Sequence, residues 1–104
     1  MFDMNLSTFS KLAHCSFGKY FLLKSYSLEL AFLLLQNKNV EGVDKCHFLL
    51  VSAKPKPPAF YSFIALLENK RCIIRNQNPN KRSERVIALT EDCREALLEV
   101  LDQN

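Results

Sequence analysis

Wound into a helix, residues 27–36, SLELAFLLLQ, are apolar on nearly every side. A helix with no polar face belongs in the middle of a core. The chain has 104 residues, enough for one core and too few for two, so this segment is expected to be the central buried helix of one small domain. Ser27, of the residue type that caps helices, stands at its start. With 2 Gly, 4 Pro and 48% hydrophobic residues, the chain reads as mainly helical rather than loop-rich or all-β.

The flanking segments supply elements that could pack on such a helix. From Asn5 to Leu23, apolar residues recur every three or four positions at Leu6, Phe9, Ala13, Phe17, Tyr20 and Phe21, predicting a first helix that Gly18 weakens. Glu41 to Val51 repeats the pattern with Val43, Cys46, Leu49 and Leu50. SAKPKPP, residues 52–58, cannot be helical, because proline lacks an N–H and pushes its predecessor out of the α region. Pro57 or Pro58 suits the first position of a new helix, which buries Phe60, Phe63, Ile64 and Leu67 and leaves Ala59, Tyr61, Ser62 and Ala65 on other faces. Cys72-Ile73-Ile74 and Val86-Ile87-Ala88-Leu89 flank a turn-rich basic loop around Asn78-Pro79-Asn80, which reads as a β-hairpin. Thr90 then caps a last helix, with Glu91 and Asp92 complementing its positive end and Cys93, Ala96, Leu97, Val100 and Leu101 as its apolar face. No repeat or low-complexity tract interrupts this order.

Charge is unevenly placed. The net charge is only +3, but Lys54 to Arg85 carries eight cations against two carboxylates, whereas Glu91 to Asp102 carries five carboxylates against Arg94. Such a concentration is what a face for a polyanion needs, although a merely solvated surface has the same composition. The amino terminus has no basic region, and Lys11, Lys19 and Lys24 interrupt its apolar runs, so neither an export signal nor a membrane span is expected. A cytoplasmic location follows, with Cys15, Cys46, Cys72 and Cys93 reduced. His14 adjoins Cys15 and Cys46 adjoins His47, but no paired zinc-type spacing is present; buried apolar cysteine is the expectation, with no metal. Neither a nucleophile motif nor a phosphate-cradling glycine loop occurs, so no enzyme activity is expected, and nothing specifies a cofactor or a small-molecule effector.

The order of helices, proline turn, helix, hairpin and helix is that of a winged helix-turn-helix. YSLELAFLLLQ, PPAFYSFIALLENKRCIIR and NPNKRSERVIALTEDCREALLEVL together resemble the multiple-antibiotic-resistance regulator (MarR) family of bacterial transcription factors over residues 25–101. The resemblance implies a homodimer built by terminal helices, bound to double-stranded DNA, with a recognition helix in each major groove and a basic wing toward each minor groove. It makes residues 1–104 a single DNA-binding domain with terminal dimerisation helices. The family has Gly after the recognition helix where this chain has Arg71, so a differently built exit is expected there. The family's wing Asp-x-Arg is replaced by Lys81-Arg82-Ser83.

On this reading, Lys54, Lys56, Ala59, Tyr61 and Ser62 are the recognition-helix candidates. The two lysines sit where a helix dipole attracts phosphate, and the hydroxyls can bond phosphates or bases. Tyr61 could instead belong to the core, its hydroxyl at the rim. Arg75, Lys81, Arg82 and Arg85 are the wing candidates, since arginine favours a narrow minor groove. Some members of the family sense oxidants through a cysteine in the first helix; Cys15, between Lys11 and Lys19, is the matching candidate, and simple packing is the alternative. Phe9, Phe17 and Phe21, with the apolar stripe of the last helix, are expected to form the dimer surface. The competing function is a winged-helix protein-interaction module without DNA binding, which the missing Asp-x-Arg favours.

Overall fold

The structure is a computed structural model that describes residues 5–101, apart from the side chains of 82–84. Among the described residues, five α-helices and the hairpin follow the anticipated order, and a third short strand that was not anticipated joins them in a small antiparallel sheet. The first helix, α1 (Leu6–His14), begins where Asn5 Oδ1 accepts the N–H of Thr8 at 2.8 Å. It does not run to Leu23. The backbone turns extended at Cys15, and a separate 3₁₀ turn covers Gly18–Leu22. Gly18 permits that corner: a Cβ there would lie 2.5 Å from Leu12 Cδ1 and 2.9 Å from the Leu12 carbonyl oxygen. The periodicity of residues 5–23 therefore belongs to two short elements packed on each other rather than to one helix.

The central helix, α2 (Ser27–Gln36), buries Leu30, Ala31, Leu33 and Leu34, as its all-round apolarity requires. Ser27 is its first residue rather than its cap. The Ser27 hydroxyl accepts the Lys24 N–H at 3.1 Å and donates to the Lys24 carbonyl at 2.8 Å, closing the preceding turn. At the other end, the Arg94 guanidinium donates to the carbonyls of Leu34 (2.8 Å) and Leu35 (3.2 Å), which a helix C-terminus leaves without partners.

Residues 40–51 contain a strand that the helical periodicity conceals. Strand β1 (Val40–Glu41) is followed by Gly42, whose φ of 95° favours glycine, and then by α3 (Val43–Leu49). The proline turn leads to α4 (Pro57–Asn69), with Pro57 at its first position. Phe60, Phe63, Ile64 and Leu67 are buried; Ala59, Tyr61, Ser62 and Ala65 are exposed. Tyr26 packs against two of the buried rings, 5.9 Å from Phe60 and 5.5 Å from Phe63 between centroids, and so fixes α4 to the start of α2.

Helix α4 ends in a Schellman motif: the Cys72 N–H bonds the Leu67 carbonyl (2.9 Å) and the Arg71 N–H bonds the Glu68 carbonyl (3.1 Å). Arg71 itself has φ 62°, the left-handed conformation for which glycine is the usual choice. The expected rebuilding of this exit does not occur; arginine adopts the glycine backbone. Strands β2 (Ile73–Asn78) and β3 (Lys81–Leu89) are longer than their apolar runs, so most of the anticipated basic loop is ladder. The strand order is β1-β3-β2, with Val40 opposite Ile87, Ile73 opposite Leu89, and a register irregularity between Gln77 and Asn78.

Thr90 caps α5 (Glu91–Leu101): its hydroxyl accepts the Cys93 N–H at 3.3 Å and donates to the Arg71 carbonyl at 2.7 Å. Cys93, Leu97 and Leu101 are buried in the chain's own core, as is Phe21. Phe21, Leu97 and Leu101 are therefore covered within the chain, whereas Phe9, Phe17, Ala96 and Val100 of the anticipated dimer surface keep some exposure. Among the described residues, no helix is long and apolar enough to cross a membrane, and no cluster of three or more His, Cys, Asp or Glu is placed to hold a metal.

Candidate nucleic-acid interface

The Pro57 start and the apolar spacing of α4 turn Ala59, Tyr61 and Ser62 outward. Just before the helix, the His47 ring stacks edge-on against Phe60 at 5.3 Å, and its Nε2 is 2.7 Å from the Pro55 carbonyl. A carbonyl only accepts, so Nε2 carries the proton. On the far side of the same loop, the Glu29 carboxylate accepts the N–H groups of Val51 (2.9 Å) and Ser52 (3.2 Å). These bonds fasten both ends of the segment that joins α3 to α4.

Tyr61 lines two grooves. Lys54, His47 and Phe48 share one of them, with the Lys54 Nζ 5.1 Å from the Phe48 ring centre. Glu41, Asp44, Arg75 and Arg85 share the other, between α3, α4 and the root of the hairpin. The Tyr61 hydroxyl donates to the Asp44 carboxylate, and this bond is the leading cause of a phenol pKa raised above its ordinary value.

Two solved structures share this architecture. A MarR-like transcription regulator from Bacillus cereus ATCC 10987 superposes with TM-score 0.62 at 15% identity, covering 89% of this chain. The transcriptional repressor CouR, bound to a 23-mer DNA duplex, superposes with TM-score 0.59 at 21% identity, covering 91% of this chain. The fold is a MarR-like winged helix. The match spans 63% of the length of each of those two chains. No family model and no curated protein matches the sequence.

The proline turn joins α3 to α4, and the β2–β3 hairpin follows. Lys56 directly precedes α4, and Lys54, Lys56, Lys81 and Arg85 are exposed. Arg75, one of the wing candidates, sits at the root of the β2–β3 hairpin, where its guanidinium meets Glu68 Oε1 at 2.9 and 3.1 Å. The side chain of Arg82 lies outside the described residues. Cys15 is half-buried at the corner after α1 rather than within the helix. Sequence reasoning passed over Asp44, Glu29 and Phe48. Asp44 reads as an ordinary acidic first-turn residue, and no spacing signals its bond to a tyrosine 17 positions away.

Proposed function

We propose that this chain is a sequence-specific double-stranded-DNA-binding transcriptional regulator, with α4 entering the major groove and the β2–β3 wing directed toward the minor groove. The observation that carries the proposal is the position of Tyr61, on the exposed face of α4 between a groove holding Lys54 and a groove holding Arg75 and Arg85. Cations from separate parts of the chain thus flank one helix, with the carboxylates of Glu41 and Asp44 beside the two arginines. Lys56, Lys81 and Arg82 extend the same set, and Ala59 and Ser62 complete the helix face. The likeness to a repressor solved on a DNA duplex supports the reading. Dimerisation through the terminal helices, with half-buried Ala96 and Val100 as what α5 still offers, and a cytoplasmic location belong to the proposal. Leu6, 86% exposed on α1, and the partly exposed Phe9 are the apolar groups that support it.

A fluorescence-anisotropy titration of a labelled generic duplex across salt concentrations tests the proposal. Binding is expected to weaken linearly in log K against log salt. In a K81A/R85A variant with unchanged circular dichroism, affinity is expected to fall on every duplex and the slope to flatten by roughly 0.9 for each phosphate no longer neutralised. One feature supports the second reading, a protein-interaction module: Phe48 (71% exposed) and Val51 (83% exposed) leave apolar surface beside α4. Absence of duplex binding at low salt would transfer the assignment to that reading.

A further inference from the structure

The bond between Tyr61 and Asp44 has a chemical consequence for whatever docks on α4. Tyr61 is 44% exposed, and Asp44, in the first turn of α3, is exposed as well. A phenol has one proton to donate, and here it goes to the carboxylate. The outward side of the pair therefore offers oxygen lone pairs and nothing else. Phosphate oxygens are also acceptors, so the pair cannot bond the DNA backbone, and the Asp44 charge repels it. Glu41 lines the same groove and adds to that repulsion; of the two arginines on the lining, Arg75 is paired with Glu68 and Arg85 is the one exposed to counter it. The partners that fit are N–H donors. In the major groove, these are the exocyclic amino groups of cytosine and adenine; guanine and thymine present no donor there.

We propose that Tyr61 and Asp44 form an acceptor pair that selects a cytosine or adenine amino group in the major groove, with Tyr61 touching the base and Asp44 acting as its positioning residue. The proposal rests on the DNA-binding reading above. Asp44 sets the polarity of the phenol: while its carboxylate takes the proton, the Tyr61 oxygen faces outward as an acceptor.

Selection from a randomised duplex pool, followed by sequencing, tests the assignment with the wild-type chain, Y61F, D44A and D44N, each first checked for a native circular dichroism spectrum. The wild type is expected to enrich sites with cytosine or adenine at one position. Y61F is expected to lose that preference by about fivefold or more while keeping the remainder of the site. D44A frees the phenol proton to donate outward, so the same position is expected to move toward guanine or thymine. D44N keeps an oxygen acceptor for Tyr61 and is expected to retain the wild-type preference, which separates hydrogen-bond polarity from charge. Sites enriched by the wild type and unchanged in both Y61F and D44A would overturn the acceptor pair while leaving DNA binding intact. Failure of the wild type to enrich any sequence would overturn the DNA-binding reading and this proposal with it.

Discussion

Arg71 occupies a left-handed position, φ 62°, at the end of α4, although its Cβ makes that conformation costly by about 1 kcal/mol. The Schellman bonds and the Thr90 hydroxyl on its carbonyl hold it there. R71G is expected to raise stability by about 1 kcal/mol, read as a higher urea midpoint at unchanged m-value. A lower midpoint would show that the guanidinium contributes more than the strain costs. The cysteines differ as sharply from one another. Burial pushes the Cys46 thiol up to about 12, and a hydrogen bond with Cys72 together with burial pushes Cys93 above the ordinary range, whereas Cys15 is only half-buried. Ellman's reagent on the native protein is expected to find one fast thiol, abolished by C15S, with the others reacting on unfolding. Because burial raises the Cys46 pKa, its contribution to stability is full below the ordinary thiol pKa and is lost as pH rises toward about 12. An alkaline urea series is expected to show the midpoint falling over that window.

At the scale of elements, the position of α4 depends on groups outside it. Tyr26 anchors its buried face, and Glu29 holds the loop before it through two backbone N–H groups. E29A removes both acceptors at a partly exposed site and is expected to cost about 1 kcal/mol, with E29Q retaining part of it. If the loop orients α4, E29A is also expected to weaken duplex binding in anisotropy titrations more than its small stability loss explains, although Glu29 bears no cation. Equal affinity of E29A and wild type would remove the loop from the binding surface. The Arg75–Glu68 pair joins the wing root to the C-terminal end of α4, so the two candidate DNA elements are tied directly to each other. As a part-exposed ion pair it adds little to global stability.

At the scale of the molecule, the extents are 42 × 27 × 25 Å, with a core in which α2 lies against both the 3₁₀ turn and the sheet. Apolar surface is left over at Leu6 and Phe9 on α1, at Leu23, at Phe48 and Val51 around the proline turn, and at Ile74 on β2. For the proposed dimer, light scattering at micromolar concentration is expected to give twice the 12.0 kDa chain mass, and L6S/F9S is expected to return it to the monomer. A wild-type mass of one chain would leave α1 without the proposed role.

Local chemistry was enough to determine the helices α2, α4 and α5, the proline turn and the existence of the hairpin. Each rests on signals within a few residues: all-round apolarity in 27–36, Pro57 at a helix start, Thr90 as a cap. The exposed face of α4 was legible for the same reason, since a buried stripe at Phe60, Phe63, Ile64 and Leu67 leaves Tyr61 and Ser62 outside. Tertiary structure decided what depends on a distant partner. Strand β1 has two residues and exists because β3 offers an edge to Val40 and Glu41; its own sequence carries no alternation long enough to announce it. The break after His14 follows from how closely Gly18 approaches Leu12, which periodicity cannot register. Arg75 became a wing-root residue by meeting Glu68, and Tyr61 lost its free donor by meeting Asp44. Periodicity reports which face of an element is buried. Which polar groups meet across elements is fixed only when the core sets their distances, and in this chain those meetings define the candidate DNA surface.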